Sequence, residues 1–294
     1  MPMKTIMTVG SHADDIEINM GATCLKYRDI GYEFVYVMST NNMSGCMHVP
    51  EKDGRVLYLP MPTDQFRKIR ESECAAAASV LGTEPVCLGF PQRHYPRFGP
   101  EVSPTPYPPS VNNGNIDSGW GVAAPPGVAS GSYSILTAHE HAENVKRLAA
   151  LILENDPEVV FTHSPVMYDP EHIATCMLTV KAFNAAAANG YSGALVYWVD
   201  GTAPFYGNYY FSWQTFIDGT GFQDRKTKFA GIHKSMLPHP EKIEYFDFGA
   251  KCGCGLAEVF NFGFPDIEHI QSSGPLTAEL MKNSGNSLDL KLKM

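Results

Sequence analysis

The sequence predicts an α/β protein with a mostly parallel β-sheet that helices cover on both faces. Its predicted strands are short, continuous apolar runs, which are typical of strands buried on both faces of a parallel sheet. Helical segments alternate with these runs along the chain, which indicates βαβ units. The predicted strands, in chain order, are Thr5–Val9, Phe34–Met38, Val86–Leu88, Val159–Thr162 and Leu195–Val199.

The segments between these strands carry apolar residues at helical spacing. In the first of them Ile16, Met20 and Cys24 recur every four residues, and the second is rich in alanine and ends before Gly82. Together with the strands they predict a Rossmann-like architecture. The predicted helices are Ile16–Ile30, Phe66–Leu81, His139–Leu153, Glu171–Asn189 and Lys226–Met236.

One stretch interrupts this alternation. Residues 91–135 hold 9 of the chain's 22 prolines, and so long a connection is usually a binding loop, a lid or a disordered segment. We predict a Pro/Gly-rich insertion loop near the functional site. Because 294 residues can form one large domain, we expect a single domain over 1–294, in which 240–294 form a C-terminal cap and tail.

Composition excludes some partners. The net charge of -9 argues against a nucleic-acid backbone or an anionic membrane surface as the main partner. The seven cysteines are scattered, and we interpret them as reduced core thiols. The sequence lacks a signal-peptide pattern and a run long enough to span a membrane. We therefore expect a cytoplasmic protein with no membrane span, and a homo-oligomer stays open.

Polar residues cluster after the first predicted strand. His12, Asp14 and Asp15 follow it directly, and ligands of open α/β sheets bind beyond the carboxyl ends of strands. His12 and Asp15 are ligand types that zinc accepts, and Asp14 would be left to act on a bound water. Either carboxylate could instead cap the following helix. A nucleotide site is disfavoured because this turn lacks the G-x-G-x-x-G pattern.

The loop after the fourth strand is the best source of a third ligand. It runs from His163 to His172 and also contains Asp169 and Glu171. A catalytic zinc usually takes three protein ligands and an open position. Two of these residues have structural alternatives: His163 could be a buried histidine with a backbone partner, and Glu171 could serve its own helix dipole.

These residues resemble a known family. The segment 11–17, SHADDIE, resembles the (A/S)HPDDxE signature of the LmbE-like, or PIG-L, zinc de-N-acetylases, and 169–172, DPEH, aligns with the family motif HPDH. The resemblance covers most of the chain except the insertion and the tail. Weaker matches follow in the family's order at Arg70–Glu73, Leu88–Phe90, Lys228–Ser235 and Ala257–Phe260.

The resemblance implies a metal-dependent deacetylase. His12, Asp15 and His172 would hold zinc or another divalent metal. Asp14 would be the general base for attack of zinc-bound water on an N-acetyl or N-acyl group, expected on an amino sugar or sugar conjugate. The implied substrate-binding residues are Arg70, Asn42, Gln92 and His233.

One departure from the family pattern affects the mechanism. Asp169 stands where HPDH has its first histidine, and an ionised carboxylate cannot donate a hydrogen bond to an oxyanion. Asp169 itself or His163 would then supply the missing catalytic function. The departure also supports the alternative of a non-catalytic, metal-containing binding protein on the same fold.

Overall fold

The N-terminal strand lies in the middle of the main sheet. The computed structural model describes residues 4–42, 47–53, 56–59, 63–92, 134–167, 169–199, 213–246, 249–250, 253–264 and 274–284. Within them the strands are β1 Thr5–Gly10, β2 Glu33–Thr40, β3 Met47–Pro50, β4 Val56–Leu59, β5 Pro85–Phe90, β6 Val159–His163, β7 Ala194–Trp198, β8 Thr215–Asp218 and β9 Ala257–Phe264.

Seven of these strands form one sheet in the order β5-β2-β1-β6-β7-β9-β8. β1 pairs in parallel with both β2 and β6, and the β2–β5 and β6–β7 pairs are parallel too. β9 pairs antiparallel with β7 and β8. The prediction of a mostly parallel sheet is confirmed, with an antiparallel addition at one side. β3 and β4 form a separate antiparallel hairpin.

Helices cover both faces of this sheet. Side chains of β1 alternate between two cores: Ile6 lies in one, and Met7 and Val9 lie in the other. The helices α1, α2, α6 and α7 contribute to the first core, and α3, α4 and α5 to the second. The helix bounds are α1 Asp15–Asp29, α2 Thr63–Val80, α3 Ile135–Ala138, α4 Ala142–Asn155, α5 Pro170–Ala187, α6 Gln223–Ala230 and α7 Pro275–Ser284, with a 3-10 turn at Pro240–Lys242.

The direction of chain winding reverses between β1 and β6. From β1 the sheet extends through β2 and β5 on one side, and through β6 and β7 on the other. A crevice therefore opens at the carboxyl ends of β1 and β6, which is where ligands of such sheets bind. α1 follows β1 at this crevice, and α5 follows β6.

Several predicted boundaries differ from the structure. The predicted helix Lys226–Met236 ends six residues earlier, at Ala230. The predicted insertion falls almost entirely on 93–133, and the end of the tail on 285–294; both lie outside the described residues. Within the predicted cap, β9 belongs to the central sheet and α7 packs on β8. No helix of the described chain is long and apolar enough to cross a bilayer.

Helix α1 is kinked where it meets β9. Met20 has non-helical backbone angles, φ -140 and ψ 24, so the hydrogen-bond ladder is interrupted there. Glu258 of β9 accepts hydrogen bonds from the backbone amides of Ala22 and Thr23, which follow the kink. The carboxylate of Glu258 also pairs with Lys226 of α6, and both side chains are almost fully buried. This pair therefore links α1, α6 and β9.

Candidate metal centre

The turn between β1 and α1 positions its two carboxylates differently. Asp15 Oδ2 accepts hydrogen bonds from the amides of Ser11, at 2.9 Å, and His12, at 2.6 Å. Asp14 occupies the N-cap position of α1 with φ 115, and its side chain makes no capping hydrogen bond in the described chain. A non-glycine residue in this backbone region is strained by about 1–3 kcal/mol. The turn therefore frees the Asp14 carboxylate from helix capping.

His12, Asp15 and His172 come together at the crevice. His12 Nδ1 lies 3.0 Å from His172 Nε2, and Asp15 Oδ1 lies 3.4 Å from the same nitrogen. One ligand atom from each of the three residues lies within 4.8 Å of the others. Zinc–nitrogen bonds of about 2.0–2.1 Å in tetrahedral geometry separate neighbouring ligand atoms by roughly 3.3 Å. Two imidazoles and one carboxylate at these separations fit a divalent metal ion.

Glu171 is a member of this cluster that sequence reasoning missed. Its Oε2 lies 2.7 Å from His12 Nε2, the ring nitrogen that does not face His172, and its side chain is fully buried. Gln92 Nε2 donates to the same oxygen at 3.2 Å. Metal-binding histidines usually donate their second ring N–H to a carboxylate, which orients the ring. The available signal was its position beside His172 in the aligned motif.

His163 lies directly behind Asp15. It is the last residue of β6, and its Nε2 is 3.1 Å from Asp15 Oδ2 and 3.0 Å from the amide nitrogen of Ser11. Its ring stacks on His172 with centroids 4.0 Å apart and meets Trp198 edge-on at 4.7 Å. These contacts hold Asp15 and His172 in place. The catalytic role predicted for His163 stays a prediction.

Asp169 caps helix α5. It is the N-cap residue, and its Oδ1 accepts a hydrogen bond from the amide of Glu171 at 2.8 Å. The cap fixes the first turn of α5, which carries Glu171 and His172. The residue that departs from the family motif thus has a structural task here, and its catalytic role stays a prediction.

Arg70 supports Asp14 from helix α2. It donates to Asp14 Oδ1 at 3.0 Å and also to the carbonyl oxygen of Ala13, and its side chain is 3% exposed. Glu73, one turn further along α2, accepts hydrogen bonds from the backbone and hydroxyl of Ser235. Arg70 therefore belongs to the support of Asp14, and the substrate contact predicted for it is untested.

Asn42, Gln92 and His233 are also buried near the crevice. Asn42 follows β2 with φ 51, and its Oδ1 accepts from the amide of Ala13 at 3.0 Å. His233 Nε2 lies 3.0 Å from Glu17 Oε2, and both side chains are fully buried. The substrate-binding roles expected of Asn42, Gln92 and His233 stay predictions.

Charge at the site favours a cation. Burial opposes ionisation of Asp15, but His172 and His163 hold its pKa well below the usual range. Burial raises the pKa of Asp14, although Arg70 works in the opposite direction. Burial lowers the pKa of His12, yet Glu171 and Asp15 outweigh it and the net direction is upward. The cluster thus combines an ionised carboxylate with imidazoles surrounded by negative charge.

Comparison with known proteins bears on this arrangement. A family model described as PIG-L, GlcNAc-PI de-N-acetylase, matches residues 7–183. The chain is 25% identical over 201 residues to a 1D-myo-inositol 2-acetamido-2-deoxy-alpha-D-glucopyranoside deacetylase of Salinispora arenicola strain CNS-205, a match that covers 67% of this chain and 56% of that protein. The chain thus spans little more than half the length of this curated relative.

Solved structures share the fold. GalB, the 4-carboxy-2-hydroxymuconate hydratase of Pseudomonas putida KT2440, matches with a TM-score of 0.59 at 19% identity over 92% of this chain and 100% of that chain. The N,N'-diacetylchitobiose deacetylase of Pyrococcus horikoshii matches with a TM-score of 0.57 at 20% identity over 94% of this chain and 89% of that chain. Because the family model spans more than half of the chain and includes His12, Asp15 and His172, this protein belongs to the PIG-L family.

Proposed function

We propose that this chain is a metal-dependent N-deacetylase that removes an acetyl group from an N-acetylated amino sugar or sugar conjugate. One observation carries the proposal: His12, Asp15 and His172 bring their ligand atoms within 4.8 Å of one another, with Asp14 beside them. Membership of the PIG-L family supports the reaction class. The printed name of the Salinispora relative supports a 2-acetamido-2-deoxy sugar as the substrate.

Each residue of the cluster has a task in this proposal. His12, Asp15 and His172 would hold the metal, which is zinc or another divalent ion because a donor set of two imidazoles and a carboxylate accepts several. When bound, such a metal supplies Lewis acidity toward a water molecule and an amide carbonyl. Glu171 orients His12, and Asp169 fixes the helix turn that carries His172.

Asp14 moves the proton. As a general base it takes a proton from the attacking water, and it returns that proton to the amide nitrogen as the C–N bond breaks. The products are acetate and a free amine. Arg70 keeps the Asp14 carboxylate in one orientation through their 3.0 Å contact. His163 or Asp169 would supply the charge stabilisation that the first histidine of HPDH supplies elsewhere in the family.

Acetate release tests this proposal. The wild type, incubated with a panel of N-acetylglucosamine conjugates, is expected to release acetate, and Asp14→Asn to lose about 100-fold or more in turnover because the base is removed. Asp14→Asn should keep the metal content of the wild type, whereas His12→Ala should lose metal. Asp29→Asn, an exposed acid at the far end of α1, is the control expected to behave as wild type.

Two results would contradict parts of the proposal. Full activity in Asp14→Asn would remove the base. A wild type that binds divalent metal stoichiometrically but releases no acetate across the panel would favour the alternative of a non-catalytic binding protein, which Asp169 at the histidine position motivates. The fold also carries a hydratase, so only the reaction assay separates these outcomes.

A further inference from the structure

Two thiols meet between α2 and β5. Cys74 of α2 is buried, with 1% of its surface exposed, whereas Cys87 of β5 is exposed to solvent. The two side chains are joined by a hydrogen bond. β5 is the edge strand of the described sheet, so reagents in solution can reach Cys87 directly.

The contact makes the two thiols chemically different. The hydrogen bond from Cys74 lowers the pKa of Cys87 to about 7, because it stabilises the Cys87 thiolate. The same hydrogen bond, together with burial, raises the pKa of Cys74. Since the thiolate is the nucleophile in thiol chemistry, Cys87 is the attacking sulfur and Cys74 is the neighbouring thiol that can react with it afterwards.

We propose that Cys74 and Cys87 form a reversible dithiol–disulfide site that is oxidised by hydroperoxides. With hydrogen peroxide, the Cys87 thiolate attacks one peroxide oxygen, the O–O bond breaks, and the departing hydroxide leaves as water after taking up a proton. The sulfur of Cys74 then attacks the Cys87 sulfenic acid, the S–S bond forms, and a second water leaves with the Cys74 proton. Two thiols lose two electrons and two protons, and the peroxide is reduced to two waters.

The geometry asks for little movement. A disulfide needs its sulfur atoms about 2.05 Å apart and its Cα atoms within roughly 7 Å. Thiols that already share a hydrogen bond on packed elements need a short side-chain adjustment to reach this geometry. An exposed low-pKa cysteine beside a second cysteine is the arrangement found in peroxide-sensitive thiols.

The site lies close to the support of Asp14. Cys74 is four residues after Arg70, so both project from the same face of α2, and it directly follows Glu73. Arg70 contacts Asp14, and Glu73 accepts hydrogen bonds from Ser235. A covalent link from Cys74 to β5 would restrain the part of α2 that carries these contacts.

Peptide mapping after mild oxidation tests the inference. The full-length protein is treated with near-stoichiometric hydrogen peroxide at pH 7, free thiols are alkylated, and the digest is analysed by mass spectrometry. We expect a linked peptide pair containing Cys74 and Cys87 that dithiothreitol reverses. Before oxidation, Cys87 should be alkylated about tenfold faster than Cys24 or Cys176, which are buried.

Serine variants complete the design. Cys87→Ser is at an exposed position and should fold normally, and in it Cys74 should resist oxidation. Cys254→Ser, at a half-exposed cysteine, should form the linked pair as the wild type does. Oxidation of Cys87 to sulfinic acid with Cys74 still a free thiol would overturn the proposal, as would linkage of Cys87 to any other cysteine in preference to Cys74.

Discussion

Glu171 Oε2 lies 2.7 Å from His12 Nε2, on the side of the imidazole away from His172. The two residues come from different crossovers, since His12 follows β1 and Glu171 lies in the first turn of α5. The carboxylate therefore fixes both the rotation and the tautomer of His12, so that Nδ1 faces the other candidate ligands. Gln92 keeps Glu171 in position with its own hydrogen bond.

Replacing Glu171 should weaken metal binding without removing a candidate ligand. In Glu171→Gln the side chain keeps its size, but it no longer provides a negative acceptor for His12. Loss of such an orienting carboxylate typically costs about 10–100-fold in metal affinity. Competition against a chelator measures the dissociation constant directly. Glu143→Gln, an exposed acid in the first turn of α4, is the matched control, and equal affinities in the two variants would refute the orienting role.

Asp169 should contribute stability through the helix cap. Asp169→Ala removes the acceptor for the Glu171 amide, and loss of an N-cap typically costs about 0.5–2 kcal/mol. Asp169→Asn retains a capping oxygen and should lie within a few tenths of a kcal/mol of the wild type. Urea unfolding followed by tryptophan fluorescence measures both. An alanine variant as stable as the wild type would show that the 2.8 Å contact contributes nothing to stability.

The sequence predicted the parallel half of the sheet better than the antiparallel half. β1, β2, β5, β6 and β7 are apolar runs bounded by helical segments, so the pattern and the strand coincide. β8 pairs with β9 from 39 or more residues away in the chain, and β9 mixes buried and half-buried residues. Their pairing depends on contacts distant in sequence, which a local pattern does not contain. The β3–β4 hairpin was missed for the same reason.

The candidate site divides in a similar way. The strand-to-helix turns placed His12 and Asp15 correctly, because the end of a buried strand fixes where its loop emerges. Glu171 was missed because its partner His12 is 159 residues away in sequence. A helix-terminal glutamate also has a sufficient local explanation, the helix dipole, so no local rule distinguished the two roles. Only the packing of α5 against the first loop does.

The ion pair between Arg225 of α6 and Asp29 of α1 should make stability depend on acid. Both Asp29 oxygens accept from the guanidinium, and this contact lowers the pKa of Asp29 to about 2. Since the folded pKa lies below the ordinary value near 4, the stabilisation is present above pH 4 and is lost as the pH falls toward 2. Both side chains are over a third exposed, so solvent screening limits the pair to about 0.5 kcal/mol.

Arg225→Met therefore should be less stable than the wild type by about this amount at pH 7, and the difference should vanish near pH 2. Unfolding curves at a series of pH values measure it. Asp29→Asn should show the same loss at neutral pH and a weaker dependence on pH. A difference that grew on acidification would reverse the expected sign and exclude this pair as its cause.

The buried pair Lys226–Glu258 should respond unequally to loss of either partner. Glu258→Leu leaves the Lys226 ammonium buried without its carboxylate and removes the acceptor of the Ala22 and Thr23 amides at the α1 kink. Breaking a buried pair in this way typically costs about 3–5 kcal/mol. Lys226→Met leaves Glu258 with both amides and the Thr23 hydroxyl as donors, so its cost should be nearer 1–3 kcal/mol, roughly that of one unmet buried group.

Urea unfolding of the two variants beside Arg67→Ala tests this order. Arg67 pairs with Glu71 on the exposed face of α2, and its loss should cost at most about 0.5 kcal/mol. If Lys226→Met were as damaging as Glu258→Leu, the lysine would be the essential member and the kink would not depend on the glutamate. The expected order follows because Glu258 serves three elements, whereas Lys226 serves Glu258 in addition to its packing against Tyr245 and Phe246.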